Sequence, residues 1–100
     1  MSISAIQIEI SCAENVVVTE DTLSVDLSDG RTISVPLAWY PRLQYATPEE
    51  RNHWGLIGQG LGIHWEDIDE DISVENLLAG KQSGESQESF TKWLSGRSST

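Results

Sequence analysis

Basic residues are scarce in this chain: 6 Lys and Arg stand against 16 Asp and Glu in 100 residues, for a formal net charge of −10. The deficit lies before residue 81, where 14 acids face only Arg31, Arg42 and Arg51. Proteins that bind nucleic acids take most of their affinity from cationic side chains that displace counterions. Direct binding to nucleic acid is therefore not expected. An acidic surface would steer a basic protein partner, although solubility alone also explains the charge.

Cysteine is nearly absent as well. Cys12 is the single cysteine, so no intramolecular disulfide can form and no oxidising compartment is needed. No apolar run approaches the roughly 18 residues that cross a bilayer, and the N-terminus lacks the basic region and continuous apolar core of a secretion signal. We therefore expect a soluble, cytoplasmic protein without membrane association.

Complete catalytic and cofactor motifs are also missing. Residues 58–62 resemble a glycine-rich nucleotide loop, but they follow a predicted helix and include no lysine, serine or threonine to hold phosphate and magnesium. Cys12 has no base or oxyanion site that the sequence places beside it. We expect no enzymatic activity and no cofactor.

The first third of the chain has the alternation of β-strands. Ile6, Ile8 and Ile10 alternate with polar residues, which predicts a half-buried strand. Short β-branched or alternating runs follow at residues 16–19, 23–27 and 32–35. An Asp-Gly pair between the last two runs is a strong hairpin signal. These runs predict an antiparallel meander of three strands that ends near the proline at position 36.

Helix signals dominate the second half. Thr47, Pro48 and Glu50 have the spacing of a capping box, and the helix that they start is predicted to continue through Trp54 and Ile57. Residues 62–65 predict one further strand, and residues 73–80 predict a short helix with Ser73 as its cap and Gly80 as its stop. The predicted fold is α+β: an antiparallel β-meander of three to four strands with two helices packed on one face, plus a short C-terminal helix. We assign residues 1–80 to a single α+β domain and residues 81–100 to a linker and amphipathic C-terminal tail.

The acidic run at residues 66–71 is the densest charge cluster. Asp67, Asp69 and Asp71 match the first three ligand positions of a calcium-binding loop. Ile72 and Leu78 stand where that loop needs glycine and a bidentate glutamate, so no metal site is predicted there. These acids are instead expected to cap the helix that follows or to favour its N-terminal end.

Two sets of residues are candidates for binding. His53, His64, Trp65 and Asp67 could form a small-ligand or transition-metal site, although their spacing matches no established site and packed histidines are the simpler interpretation. Phe90, Trp93 and Leu94 have helical spacing beyond the predicted domain. Such aromatic residues predict docking, either onto this domain or onto a partner.

Four segments in order resemble the bacterial domain-of-unknown-function family 2442 (DUF2442), over roughly residues 15–80. They are residues 29–43, which begin Asp-Gly-Arg-Thr-Ile-Ser-Val-Pro, and residues 46–51, 60–65 and 69–74. The resemblance implies a small α+β fold without a known catalytic site. The tail at residues 83–90, with a tryptophan and a leucine shortly after it, is similar to that of a single-domain subgroup.

Some members of that family resemble the antitoxin-like partner in gene pairs, and others carry a helix-turn-helix domain after this one. Here the last twenty residues are too short for such a domain, which removes the argument for direct transcriptional control. Our leading hypothesis is a non-enzymatic protein-interaction domain, antitoxin-like or regulatory, that offers an acidic face and an aromatic tail to a basic partner. The alternatives are a small-ligand or metal-binding domain and a homo-oligomeric structural domain.

Overall fold

The computed structural model describes residues 11–98, so the strand predicted at residues 6–10 lies outside the described part. Within it, the strands are β1 Ala13–Val18, β2 Thr22–Leu27, β3 Thr32–Pro36, β4 Trp54–Ile57, β5 Gly62–Trp65 and β6 Glu70–Ser73. The helices are α1 Pro41–Gln44, α2 Pro48–Asn52, α3 Val74–Leu78 and α4 Gln87–Ser98, and short 3-10 turns span Leu37–Trp39 and Gly58–Gly60. The predicted α+β class is confirmed.

The first sheet has the order β1-β2-β3, and both strand pairs are antiparallel. The predicted three-stranded meander is therefore confirmed. Leu23, Val25 and Leu27 on the middle strand are buried, as the alternation in the sequence requires. Gly30 completes the turn between β2 and β3 with a φ of 95°, a conformation that glycine adopts at little cost. β3 ends at Pro36, which has no N–H to donate to a ladder.

Helix α2 begins as the sequence predicts but ends earlier. The Glu50 N–H donates to the Thr47 hydroxyl at 3.1 Å, and the Thr47 N–H donates to the Glu50 carboxylate at 2.8 Å, which completes the capping box. The helix then stops at Asn52. The prediction that it continues through Trp54 and Ile57 is wrong, because that stretch forms β4.

Tertiary contacts decide where α2 ends. The indole Nε1–H of fully buried Trp65 donates to the Arg51 carbonyl at 3.0 Å, so a carbonyl of the last helical turn is satisfied from outside the helix. Gly55 disfavours further helix, and antiparallel pairing with β5 supplies backbone partners instead. The strand predicted at residues 62–65 is thus the centre of a second sheet, with the order β4-β5-β6.

Gly60, in the turn between β4 and β5, lets the two sheets approach. It has a φ of 94°, and a Cβ atom there would lie 2.9 Å from Cβ of Cys12 and 3.0 Å from the carbonyl oxygen of Ala13. Side chains from both sheets and from the intervening helices then form one hydrophobic core. Its largest fully buried members are Trp65, Leu23, Leu37, Leu43, Ile63, Ile68, Val25 and Val74.

The last two helices follow local signals. Ser73, rather than an acid, caps α3 by accepting a hydrogen bond from the Asn76 N–H at 3.0 Å. The acidic run lies before that helix: residues 66–69 form the turn from β5 to β6, and Glu70 and Asp71 belong to β6. The C-terminal helix that the spacing of Phe90 and its apolar neighbours predicts forms as α4, but it spans twelve residues and so is longer than predicted.

Candidate interaction surface

Two arginines are engaged with acceptors close to them in the chain. Arg51 donates to the carbonyls of Leu43 and Gln44 at 3.0 and 2.7 Å, which ties α2 to α1. Arg31 pairs with Asp29 at 2.8 Å in the turn between β2 and β3. Neither guanidinium group is therefore unpaired and available to bind an anion from solvent.

Arg42 forms the first of two ionic clasps that hold α4. Its guanidinium group makes three hydrogen bonds of 2.6–3.0 Å to the Glu85 carboxylate, and Nη1 donates to the Ile68 carbonyl at 2.9 Å. Both side chains of the ion pair are mostly buried. Hydrogen bonding from Arg42 lowers the pKa of Glu85. The clasp joins α1, the turn between β5 and β6, and the segment that leads into α4.

Arg97 forms the second clasp near the other end of α4. Its two terminal nitrogens donate to the two carboxylate oxygens of Glu50 at 3.0 and 2.8 Å, and these bonds lower the pKa of Glu50. Trp93 lies between the clasps: its ring centroid is 5.3 Å from the guanidinium carbon of Arg42 and 4.7 Å from that of Arg97. These distances are typical of cation–π contacts. Helix α4 is therefore docked on its own chain.

The aromatic tail residues take part in this docking. Phe90, Trp93 and Leu94 are half-buried, and Phe90 packs edge-on against Tyr45 with ring centroids 5.4 Å apart. Of the two placements that the sequence left open, the structure shows the one within the chain. The sequence did not predict the clasps, because their partners lie 43 and 47 positions apart. No local spacing pattern indicates a contact over such a separation. A role for these three residues in partner binding stays a prediction.

A carboxylate that sequence reasoning did not single out lies beside the first clasp. Glu70 lines two adjoining cavities of about 90 and 240 Å³ next to the segment that leads into α4. Burial raises the pKa of Glu70 to about 7; the Glu85 carboxylate adds to the rise and Arg42 opposes it. The Tyr40 hydroxyl donates to the Lys81 carbonyl at 3.0 Å in the same region. A carboxylate that titrates near neutrality thus lies where the C-terminal segment meets the sheet.

The structure brings three of the four ligand candidates together. One cavity of about 130 Å³ is lined by His53, Trp54, Gly55, His64 and Glu66. Nδ1 of His53 lies 2.8 Å from the Asp67 carboxylate, and Nδ1 of His64 bonds to Asp71. Each of these hydrogen bonds raises the pKa of its histidine. Trp65, the fourth candidate, is fully buried and belongs to the core.

The histidine cavity does not extend to a cluster of metal ligands. Within residues 11–98, no group of three or more His, Cys, Asp or Glu side chains is placed to hold a metal ion. Metal coordination generally needs at least three protein ligands.

Strand β4 presents an apolar edge. In the part of the chain that the structure describes, it pairs only with β5. Leu56 and Ile57 are 42% and 45% exposed, although neighbouring side chains of a strand point to opposite faces. Each face of β4 therefore carries one partly exposed apolar side chain, while Trp54 of the same strand packs against the core. The sequence did not predict this edge, because the same residues were assigned to a helix. Gly55 was the signal that argued against the helix.

A family model described as a protein of unknown function (DUF2442) matches residues 13–83. The chain belongs to the DUF2442 family. The resemblance noted in the sequence is therefore confirmed, and the DUF2442 region includes both sheets, the histidine cavity and Glu70. Helix α4 and its clasp residue Arg97 lie beyond it.

Two solved structures resemble this DUF2442 chain. A crystal structure of a protein of unknown function from Rhodospirillum rubrum is 28% identical, with a TM-score of 0.66, and the match covers 77% of this chain and 95% of that one. A solution structure of an uncharacterized protein from Chromobacterium violaceum is 24% identical, also with a TM-score of 0.66, and covers 89% of this chain and 82% of that one. None of the curated proteins matches. No helix within residues 11–98 is long and apolar enough to span a membrane.

Proposed function

We propose that this DUF2442 protein is a non-enzymatic interaction domain that binds a basic protein partner. The observation that carries the proposal is that all four arginines bond to acceptors of their own chain, Arg31 at the surface and Arg42 and Arg97 in mostly buried pairs, in a chain whose net charge is −10. Exposed carboxylates such as Glu49, Glu66 and Glu75 then define the field that an approaching protein meets. Such a field accelerates association with a basic surface and disfavours acidic partners.

An antitoxin-like or other regulatory role is the form of this function that we favour. A small acidic domain that covers a basic surface of its partner would block whatever that surface binds. The resemblance of some family members to antitoxin-like partners in gene pairs supports this form. Its test is to express the captured partner alone and together with this protein: relief of growth arrest on co-expression supports the role, and an unchanged growth rate contradicts it.

The test of the interaction itself starts with capture. Tagged full-length protein is incubated with a lysate of the source organism, and the captured proteins are identified by mass spectrometry and purified. We expect a basic protein whose dissociation constant rises about tenfold or more between about 0.05 and 0.5 M salt, because salt screens the attraction between exposed charges. A dissociation constant that does not change with salt, or the absence of any specifically captured protein, would contradict the proposal.

Matched charge reversals locate the surface. Glu66→Lys changes an acid beside the histidine cavity, and Glu14→Lys changes an acid on β1; both side chains are exposed. The two variants have the same net charge. We expect Glu66→Lys to weaken partner binding more, because β4 and the acidic turn lie on its side of the molecule. If both variants weaken partner binding equally, the effect comes from the total charge of the protein and not from a local surface.

The tail candidates need a separate test. Because Phe90, Trp93 and Leu94 are half-buried against their own domain, a partner reaches them fully only when α4 moves. Trp93→Ala should therefore change partner affinity if the tail contributes, whereas Lys92→Ala, on the neighbouring exposed side chain, provides the control. Equal affinities for both variants would assign binding to the body of the domain.

The cavity between His53 and His64 favours a second candidate, a small-ligand domain. Its volume of about 130 Å³ fits only a few non-hydrogen atoms. A ligand that binds the folded state alone raises the melting temperature by mass action. Melting curves with zinc, manganese, calcium, magnesium and small organic acids, repeated on His64→Ala, test this candidate. A rise that His64→Ala abolishes would support it, and unchanged melting would set it aside.

A further inference from the structure

Among residues 11–98, four strands lie at sheet edges, and three of them have features that discourage further pairing. β1 is irregular between Ala13 and Asn15, β3 ends in Pro36, and β6 carries Glu70 and Asp71. Irregularities, proline and charged side chains are the usual protection of edge strands. β4, with the sequence WGLI, has none of them.

The surroundings of β4 add apolar surface. The side chains of Leu56 and Ile57 are exposed on opposite faces, and Leu61, just after the following turn, is also exposed. A strand that joined β4 would gain backbone hydrogen bonds along its length and apolar contacts on both faces. This combination is the one used when an extended peptide adds to an exposed sheet edge.

The charges beside β4 favour a basic occupant. Glu66 lines the same cavity as Trp54, the first residue of the strand, and Asp67 bonds to His53, the residue just before it. A second copy of this chain would carry the same net charge of −10 and would be repelled. The acids near β4 attract instead a segment that carries lysine or arginine.

Within residues 11–98 no strand pairs with the outer edge of β4, and we infer that this edge accepts an extended, basic segment of the partner as an added strand of the second sheet. The inference rests on the proposed function and names the surface and the kind of segment that it binds. Apolar side chains of the segment pack against Leu56 and Ile57. Its basic side chains lie near Glu66 and Asp67.

The experiment uses the full-length, nitrogen-15-labelled protein and three synthetic peptides of about ten residues. The first alternates lysine with valine, the second has the same composition with a central proline, and the third alternates glutamate with valine. Hydrogen exchange of each backbone amide is followed by NMR. We expect the first peptide to slow exchange at the outward-facing amides of residues 54–57 by about tenfold or more, and the proline and glutamate peptides to leave these amides unchanged.

Two results would overturn the inference. In one, the lysine peptide binds through the acidic surface while exchange at β4 stays unchanged. In the other, the outward amides of β4 are already protected in the free protein, which would show that another part of the chain or a second copy occupies the edge. Size-exclusion chromatography distinguishes these two occupants.

A pair of variants separates this inference from the proposed function. Leu56→Lys places a charge on β4, and Val17→Lys does the same on β1, where the side chain is 50% exposed. If the partner captured from the lysate binds both variants equally, β4 is not the docking edge and the proposed function stands. If Leu56→Lys alone weakens binding by about tenfold, the inference is supported. If neither the lysate nor the peptides yield binding, both proposals fail.

Discussion

Arg97 donates two hydrogen bonds to the carboxylate of Glu50, at 3.0 and 2.8 Å, across 47 positions of the chain. The same carboxylate accepts the Thr47 N–H and so completes the capping box of α2. One side chain therefore serves a local cap and a long-range clasp. Its loss should affect both the start of α2 and the docking of α4.

Replacing Glu50 by alanine tests this double role. We expect Glu50→Ala to lower the free energy of unfolding by about 2–3 kcal/mol, because it removes a cap contact and two hydrogen bonds between charged groups. Glu49→Ala is the matched control, since Glu49 is exposed in the same helical turn and should cost less than about 0.5 kcal/mol. Urea denaturation measures both values. Equal losses would contradict a special role for Glu50.

Trp93 should determine how firmly α4 is held. It contacts Arg42, Arg97 and Phe90, so Trp93→Ala removes the centre of the contact between the helix and the domain. We expect a loss of about 1–3 kcal/mol. We also expect faster tryptic cleavage after Lys92, which lies within the helix. Unchanged cleavage would show that the ionic clasps hold the helix without the indole.

Stability should fall with rising pH through the titration of Glu70. Its pKa is raised from 4.5 to about 7, so the folded chain binds the proton more tightly than the unfolded chain does. Stability from this group is therefore greatest below about 4.5 and is lost as pH rises toward 7. Glu70→Gln stays neutral at every pH and avoids that loss.

We expect Glu70→Gln to match the wild type near pH 4.5 and to exceed its stability at pH 8 by on the order of 2 kcal/mol, a value reduced for solvent screening. Urea denaturation at a series of pH values gives the difference. The stability of Glu70→Ala should vary with pH in the same way as that of Glu70→Gln, but at lower values because side-chain packing is lost. A difference between Glu70→Gln and wild type that does not vary with pH would disprove the assignment.

Alanine variants at two glycines with positive φ allow the stability cost of backbone strain to be measured separately from that of steric contact. Gly60 and Gly80 have φ values of 94° and 74°, but a side-chain carbon at Gly60 would collide with Cys12 and Ala13, whereas that at Gly80 would meet open space. Both alanine variants should lose about 1 kcal/mol through strain. We expect Gly60→Ala to lose a further 1–3 kcal/mol or so, as measured by thermal denaturation. Equal losses would indicate that the contact between the sheets relaxes easily.

Much of the fold was readable because its signals are local. The alternation at Leu23, Val25 and Leu27, the glycine turn at Gly30 and the cap at Ser73 act over four residues or fewer and were predicted correctly. The helix through Trp54 and Ile57 was wrong because its apolar residues fit either structure. Burial of Trp65, whose indole bonds to the Arg51 carbonyl, favours the strand, and this contact depends on folding of the whole domain.

The candidate sites divide in the same way. His53 and His64 could be named from their residue types, but their shared cavity and their separate acid partners required the folded chain. Glu70 is one acid in a run of acids until burial distinguishes it. The acidic charge, the first meander and the helix caps could be read from the sequence, because these depend on composition or on neighbours within a few positions. The second sheet, with β4 at its edge among residues 11–98, and the clasps on α4 follow only from the tertiary structure, because those contacts join residues whose distance in space is unrelated to their distance along the chain.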